Sequence, residues 1–323
     1  MIMKLALAYF GGLDDRKATM QKQLGIEYVV SGSRRFGDYG AHTYEALSEL
    51  KKSYAGAGLS MQIIEGPSAL DAVKLGLDGA DEQMANFKEF IINCSKIDVR
   101  TICYNWMPVI NWYRTDKELT TRGGALVTGF DMAKVDPEER TYAGDISADR
   151  LWSTLDGFLR EIIPVCEKYG VKLALHPDDP PVESLKGIDR ILTSAAAFDK
   201  VLSLNSSAYN GITFCQGCFT TMGEDIPPTI KHFGDRIYFV HFRDIQGDKY
   251  KFHETFHDDG ITDMYEAMKM YYEIGFDGIA RPDHVPTMAG EDNSNPSYGI
   301  LGNLFAVGYI KGLMEACEKS MKN

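Results

Sequence analysis

The chain has 323 residues, of which 44% are hydrophobic and 25% charged, and a formal net charge of −12. That length buries a large core in one α/β barrel or two smaller domains, and one domain is the simpler expectation. The acidic balance argues against a nucleic-acid or anionic-membrane surface, because basic side chains are what neutralise phosphates, so an anionic ligand would need a few local arginines or a metal.

In chain order, Leu5 to Tyr9 and Tyr28 to Ser31 read as strands. A helical pattern over Tyr44 to Ala57 then precedes a strand at Ser60 to Glu65, and a helix over Ala80 to Ile97 precedes a strand at Val99 to Tyr104. The segment 105–148 is long, polar and glycine-bearing. Beyond it come a helix at Ala148 to Tyr169, a strand at Lys172 to His176, a helix at Asp189 to Lys200, and a strand formed by Val201 to Leu204 with Gly211 to Phe214. A helix at Asp225 to Phe233, a strand at Ile237 to His241, a helix at Asp263 to Ile274 and a strand at Asp277 to Arg281 complete the series. Gly58, Gly170, Gly234 and Gly275 sit just past helical segments, where a left-handed residue is favoured. Regular strand-then-helix alternation predicts an α/β fold, a single (β/α)₈ TIM barrel spanning 1–323, with a doubly wound open sheet as the runner-up. In a barrel, the 105–148 insertion after the fourth strand falls over the C-terminal face as a lid.

No apolar run approaches the ~20 residues that span a bilayer, and Met1 to Phe10 gives way at once to Gly11-Gly12-Leu13-Asp14-Asp15-Arg16, unlike a secretory signal. The six cysteines have no disulfide-framework spacing, so a reduced, cytoplasmic protein is expected.

Three apolar strands finish in or just before a metal-capable side chain: Lys172 to His176, Ile237 to His241, and Asp277 to Arg281 followed by Asp283-His284. A fourth ends at Cys215. Strands of a parallel barrel deliver their C-terminal tips to one face, so His176, Cys215, His241 and Asp283 are the expected metal ligands. Any one of them alone is more simply a structural or surface residue; it is the four together that point to a metal. Cys215 and Cys218 also form a C-x-x-C, but no second such pair accompanies it and the flanks do not suit a redox motif. His253-Glu254-Thr255-Phe256-His257 is a literal H-E-x-x-H. The acidic turn Asp258-Asp259-Gly260 that follows argues against the helix on which that motif binds zinc.

Several blocks resemble the mannonate dehydratase family: Tyr104-Asn105-Trp106-Met107-Pro108-Val109, Trp112-Tyr113-Arg114-Thr115-Asp116, Phe233 to Arg243, Phe252-His253-Glu254, and Gly275-Phe276-Asp277-Gly278 leading into Arg281-Pro282-Asp283-His284. The resemblance implies a xylose-isomerase-like TIM barrel that uses a divalent metal, usually Mn²⁺, to dehydrate D-mannonate to 2-keto-3-deoxy-D-gluconate in hexuronate (glucuronate) catabolism. It implies the same four ligands, and a catalytic pair at His284 and Tyr298, the latter within Asn295-Pro296-Ser297-Tyr298. Dehydration beside a carboxylate needs a base and an acid; Tyr298 is taken as base and His284 as acid, although the sequence does not fix which is which. Arg114, Arg243, Arg281 and Asn105 are the expected substrate contacts, although a structural salt bridge is as common a role for an arginine. The mixed N/S/O donor set would equally suit Fe²⁺, Co²⁺ or Zn²⁺. The expected partner is a small sugar acid, with neither nucleic acid nor membrane, and the resemblance implies a homo-oligomer, a dimer or higher.

The chain departs from the family pattern at Asn111, where an Asp is usual, at Val285-Pro286-Thr287, where a Gly commonly follows the His, and in the glycine-rich Thr120 to Asp131. Two other readings stay open. One is a sugar isomerase or epimerase acting on a neutral sugar, and the other a non-catalytic metal- or carbohydrate-binding barrel.

Overall fold

The computed structural model describes residues 3–32, 43–66 and 70–321. Eight parallel strands close into a barrel: β1 (Lys4–Tyr9), β2 (Tyr28–Gly32), β3 (Ser60–Glu65), β4 (Thr101–Asn105), β5 (Lys172–His176), β6 (Asn210–Cys215), β7 (Ile237–Phe242) and β8 (Ile279–Pro282). Each strand pairs with its sequence neighbours, and Lys4↔Ile279 and Leu5↔Ala280 join the ends. That closure rules out the open sheet. The barrel interior holds Ala6, Val30, Ile63, Cys103, Ala174 and Phe239 in a buried cluster, while a larger apolar layer lies between strands and helices.

The helix Ala148–Tyr169 illustrates how the outer layer is specified. Ser147 caps its start by accepting from the Arg150 amide, and Gly170 ends it in the left-handed conformation. Its inward stripe of Leu151, Leu155, Phe158, Leu159, Ile162, Ile163 and Cys166 repeats at helical spacing and is buried.

Val201 to Leu204 is the end of a helix, Ala195–Leu204, capped by Ser194 and burying Phe198 and Val201, rather than the start of a strand. Its expected start at Asp189 lies instead in a two-residue strand, Ile188–Asp189, paired with Ser184–Leu185. Short helices not expected from the sequence lie at Asp15–Gln23, Asp71–Leu75 and Gln216–Thr221. The C-terminal helix Ile300–Ser320 is long and apolar enough to cross a membrane by length and composition only, although polar and charged residues interrupt it. Here it packs on the helix Met264–Glu273 and on β8, burying Ala306, Val307, Ile310 and Cys317.

The 105–148 insertion is ordered as sheet. Its strands Asp116–Thr120 and Leu126–Asp131 join Lys251–Glu254 and Ile245–Asp248 in a four-stranded antiparallel sheet. These strands come from the connections after β4 and β7, which emerge at the C-terminal face. Lys251–Glu254 is therefore strand, so the two histidines of the H-E-x-x-H do not share a helical face, and the zinc-helix reading is excluded. His257 is buried and donates from Nε2 to the Phe242 carbonyl at 2.7 Å.

Close approach at one barrel position gives a stability prediction. A Cβ on Gly211 would lie 2.2 Å from the Tyr238 ring and 2.6 Å from the Arg236 carbonyl oxygen. Backbone cannot yield there, so Gly211→Ala is expected to cost about 2–3 kcal/mol by overpacking, read as a lower urea midpoint at unchanged m-value.

Candidate active site

The strand tips bring four donors together. Cys215 and His241 are register partners on β6 and β7, and His241 pairs with Arg281 on β8, two residues before Asp283. His176 Nε2 lies 3.2 Å from His241 Nδ1, His241 Nδ1 lies 3.6 Å from Asp283 Oδ2, and Cys215 Sγ lies 4.0 Å from the same oxygen. Bonds of about 2.0–2.3 Å to one ion place tetrahedral donors roughly 3.3–3.8 Å apart, so the set is close to a coordination shell.

The hydrogen bonds outside this cluster orient it. The Pro177 carbonyl accepts from His176 Nδ1 at 2.7 Å, leaving Nε2 as a lone-pair donor facing inward. Glu65 Oε2 stands 3.4 Å from His241 Nε2, on the outer edge of that ring. Two of the donors are held in their anionic forms. Burial opposes ionisation of Cys215, but hydrogen bonding with Cys218, the Arg243 charge and contacts with His176 and His241 hold its thiol well below the usual range. Burial likewise opposes ionisation of Asp283, yet Arg281, His284 and His241 keep its carboxyl well below the carboxylate range. Burial and Arg281 work against protonation of His241, but Glu65 and Asp283 hold its pKa well above the histidine value. Thiolate, carboxylate and two inward-facing imidazoles at these separations fit a divalent cation, which would take the place of the proton on His241.

Beside the donors lies a cavity of about 240 Å³, walled by Phe10, Asn105, Asn111, Trp112, His284 and Tyr298 among others. The Tyr298 ring meets Phe10 and His284 edge-on at 5.2 and 5.9 Å, and its hydroxyl lies 3.5 Å from Asp283 Oδ1. Burial, reinforced by Asp283, pushes the Tyr298 phenol well above its usual value. His284 has a φ of 47°, rare outside glycine and an outlier of the kind that accompanies function. Its Nδ1 is 2.9 Å from Glu254 Oε1, and its ring faces Trp112 at 5.5 Å.

The D-mannonate dehydratase family model matches residues 3–142 and 139–323. The mannonate dehydratase of Thermotoga maritima is 34% identical over 360 aligned positions, covering 99% of both chains, and that of Shouchella clausii is 33% identical over 359. The chain belongs to the D-mannonate dehydratase family. The crystal structure of mannonate dehydratase from Streptococcus suis serotype 2 superposes with a TM-score of 0.92 at 29% identity, covering 100% of this chain and 95% of that one. D-Psicose 3-epimerase from Clostridium cellulolyticum H10, at TM-score 0.62 and 15% identity over 98% of this chain and 99% of that one, shares the fold alone.

Within this dehydratase-family barrel the expected substrate contacts separate into two groups. Arg281 and Asn105 line the cavity. Arg281 is also committed, donating from Nε and an Nη to Glu65 at 3.0 and 2.9 Å and to Asp283 Oδ1 at 2.6 Å. Asn105 donates to Asn111 Oδ1 at 2.7 Å and accepts from the Met107 amide. Arg114 and Arg243 do not line the cavity. Their side chains are completely buried and bonded to Asp179 and Glu254 at 2.7–2.9 Å. Cys218 is free and buried, and burial and the neighbouring Cys215 push its thiol well above the usual value.

Of the departures, Asn111 faces the cavity, whereas Thr287 pairs with Leu126 of the insertion sheet and Val285 is buried. Glu65 and Asp179 were not singled out in the sequence. Glu65 ends β3 in the same way that His176 ends β5, an apolar run closing in an acceptor, and that pattern would have found it. Asp179 had the weaker signal of an acidic pair, Asp178-Asp179, just past His176.

Proposed function

We propose that this chain dehydrates D-mannonate to 2-keto-3-deoxy-D-gluconate with a divalent metal held by His176, Cys215, His241 and Asp283. What supports the reading is that His176, His241 and Asp283 line one cavity with His284 and Tyr298, with Cys215 clustered against His241 and Asp283 beside it, in a chain of the D-mannonate dehydratase family. Mn²⁺ is the proposed ion from the resemblance, with Fe²⁺, Co²⁺ and Zn²⁺ compatible with the same donors. When bound, the cation supplies Lewis acidity to the substrate carboxylate and an adjacent oxygen, stabilising the negative charge that develops as the C2 proton leaves.

The side chains divide the proton transfers. With Nδ1 turned to Glu254, His284 offers Nε2 as the base that removes the C2 proton. The C–H electron pair forms the C2=C3 bond and the C3 hydroxyl departs, taking a proton from Tyr298 to leave as water. Burial keeps Tyr298 a neutral phenol, which suits a donor better than a base. This inverts the assignment expected from the sequence. The enol then becomes the 2-keto group. Asn105, Asn111 and Trp112 bring the 105–148 insertion against the cavity, and we read that segment as the cover that excludes water. The cysteines are free and buried, in keeping with the cytoplasm. The homo-oligomer rests on the resemblance and is checked by light scattering.

The test is product formation from D-mannonate by metal-stripped protein with and without Mn²⁺. Metal-dependent product is expected, with His284→Asn and Tyr298→Phe each lowering turnover by roughly 10²–10⁴-fold. Bound metal with no product overturns the reading, and turnover of a neutral ketose instead would favour the isomerase or epimerase.

A further inference from the structure

The H-E-x-x-H glutamate serves no zinc helix, yet it is the most heavily bonded carboxylate of the site. Glu254 is completely buried. Its Oε1 accepts from His284 Nδ1 at 2.9 Å, from Arg114 at 2.7 Å and from Arg243 at 2.7 Å, while Oε2 accepts from Arg243 Nε at 2.7 Å. Asp179 completes the square, bonded to Arg114 at 2.7 and 2.9 Å and to Arg243 at 2.9 Å. Two guanidinium groups and two carboxylates balance, so this group adds little net charge at His284. What it adds is direction. The Arg114 guanidinium is itself gripped between the Trp112 and Phe252 rings at 4.9 and 4.8 Å, tying the hub to the cavity wall.

We propose that Glu254 is the positioning residue for His284: held rigid by Arg114 and Arg243, it fixes the proton on Nδ1 and aims Nε2 into the cavity. The assignment deepens the dehydratase reading, since it presumes His284 as the base. An imidazole that loses such an acceptor can take the other tautomer, in which the nitrogen facing substrate carries a proton and cannot accept one. The position explains why a strand, rather than a helix, carries this glutamate. The strand Lys251–Glu254, paired with the insertion strand Leu126–Asp131, ends at this glutamate and presents its carboxylate to His284, two residues past β8.

The experiment compares Glu254→Met, which removes the acceptor at similar volume, with Glu254→Gln, which keeps an acceptor oxygen. In the metal-loaded enzyme Glu254→Met is expected to lower kcat for D-mannonate roughly 100-fold or more with KM within threefold of wild type. Glu254→Gln is expected to recover most of that loss, staying roughly tenfold down because a neutral acceptor bonds less strongly than a carboxylate. In parallel, ¹⁵N-histidine spectra of the diamagnetic Zn²⁺-loaded protein report the tautomer, with His284 identified by its loss in His284→Asn. Nδ1–H is expected in wild type and Glu254→Gln and not in Glu254→Met. A wild-type His284 protonated on Nε2, or a Glu254→Met with kcat within threefold of wild type, overturns the proposal. Should Glu254→Met not fold, a Glu254→Gln with unchanged kcat overturns it. If wild type makes no product, the dehydratase reading falls while the spectra still decide the positioning.

Discussion

Asp283→Asn is expected to strip the metal site and lower kcat/KM for D-mannonate by roughly 10³-fold or more. The carboxylate is used on both sides. Oδ1 accepts from Arg281 at 2.6 Å, and Oδ2 faces His241 at 3.6 Å and Cys215 at 4.0 Å. An amide cannot do both. With its oxygen toward Arg281, its NH₂ points at the ion, and in the flipped orientation the NH₂ opposes the guanidinium. Charge-stabilising contributions of a catalytic cation are several kcal/mol, and each 1.36 kcal/mol is tenfold in rate, which sets the magnitude. Metal content after dialysis, measured beside turnover, checks it: full occupancy with near-wild-type kcat/KM would remove Asp283 from the ligand set.

The convergence of these four proposed donors was legible in the sequence because the barrel does the geometric work. Each donor closes or follows a short apolar run, and parallel closure carries all such ends to one face, so His176, Cys215, His241 and Asp283 needed no knowledge of side-chain angles. Where the reading failed, the local signal was ambiguous. Val201 to Leu204 is a four-residue apolar stretch that fits a strand as well as the last turn of a helix. Ser194, which accepts from the Ala197 amide, was the cap that decided for helix. The arginines were opaque for another reason. Sequence gives a charge but not its partner, and the partners of Arg114 lie 65 and 140 positions away. Glu254 was obscured by its own motif, since H-E-x-x-H spacing has meaning only on a helix and this segment is a hairpin strand.

The buried charge square should also dominate stability, and Arg243→Ala is expected to cost about 3–5 kcal/mol. Arg243 is completely buried and bonds Glu254 twice and Asp179 once, while one of its nitrogens stands 3.5 Å from Cys215 and 3.4 Å from Cys218. The fold makes room for it: a Cβ on Gly217 would come within 2.8 Å of the Arg243 stem, so the turn after Cys215 has a glycine where the arginine passes. Truncation leaves Asp179 and Glu254 sharing Arg114 alone, with one negative charge uncompensated in a dry interior. It also removes one of the influences that hold Cys215 as a thiolate. Against a typical total of about 5–15 kcal/mol, that loss is a large fraction of the whole. Urea unfolding followed by circular dichroism reads it, and Arg243→Lys, which keeps the charge but not the forked geometry, should fall between the two. A midpoint for Arg243→Ala within error of wild type would mean that Asp179 and Glu254 are neutralised in some way other than by this guanidinium.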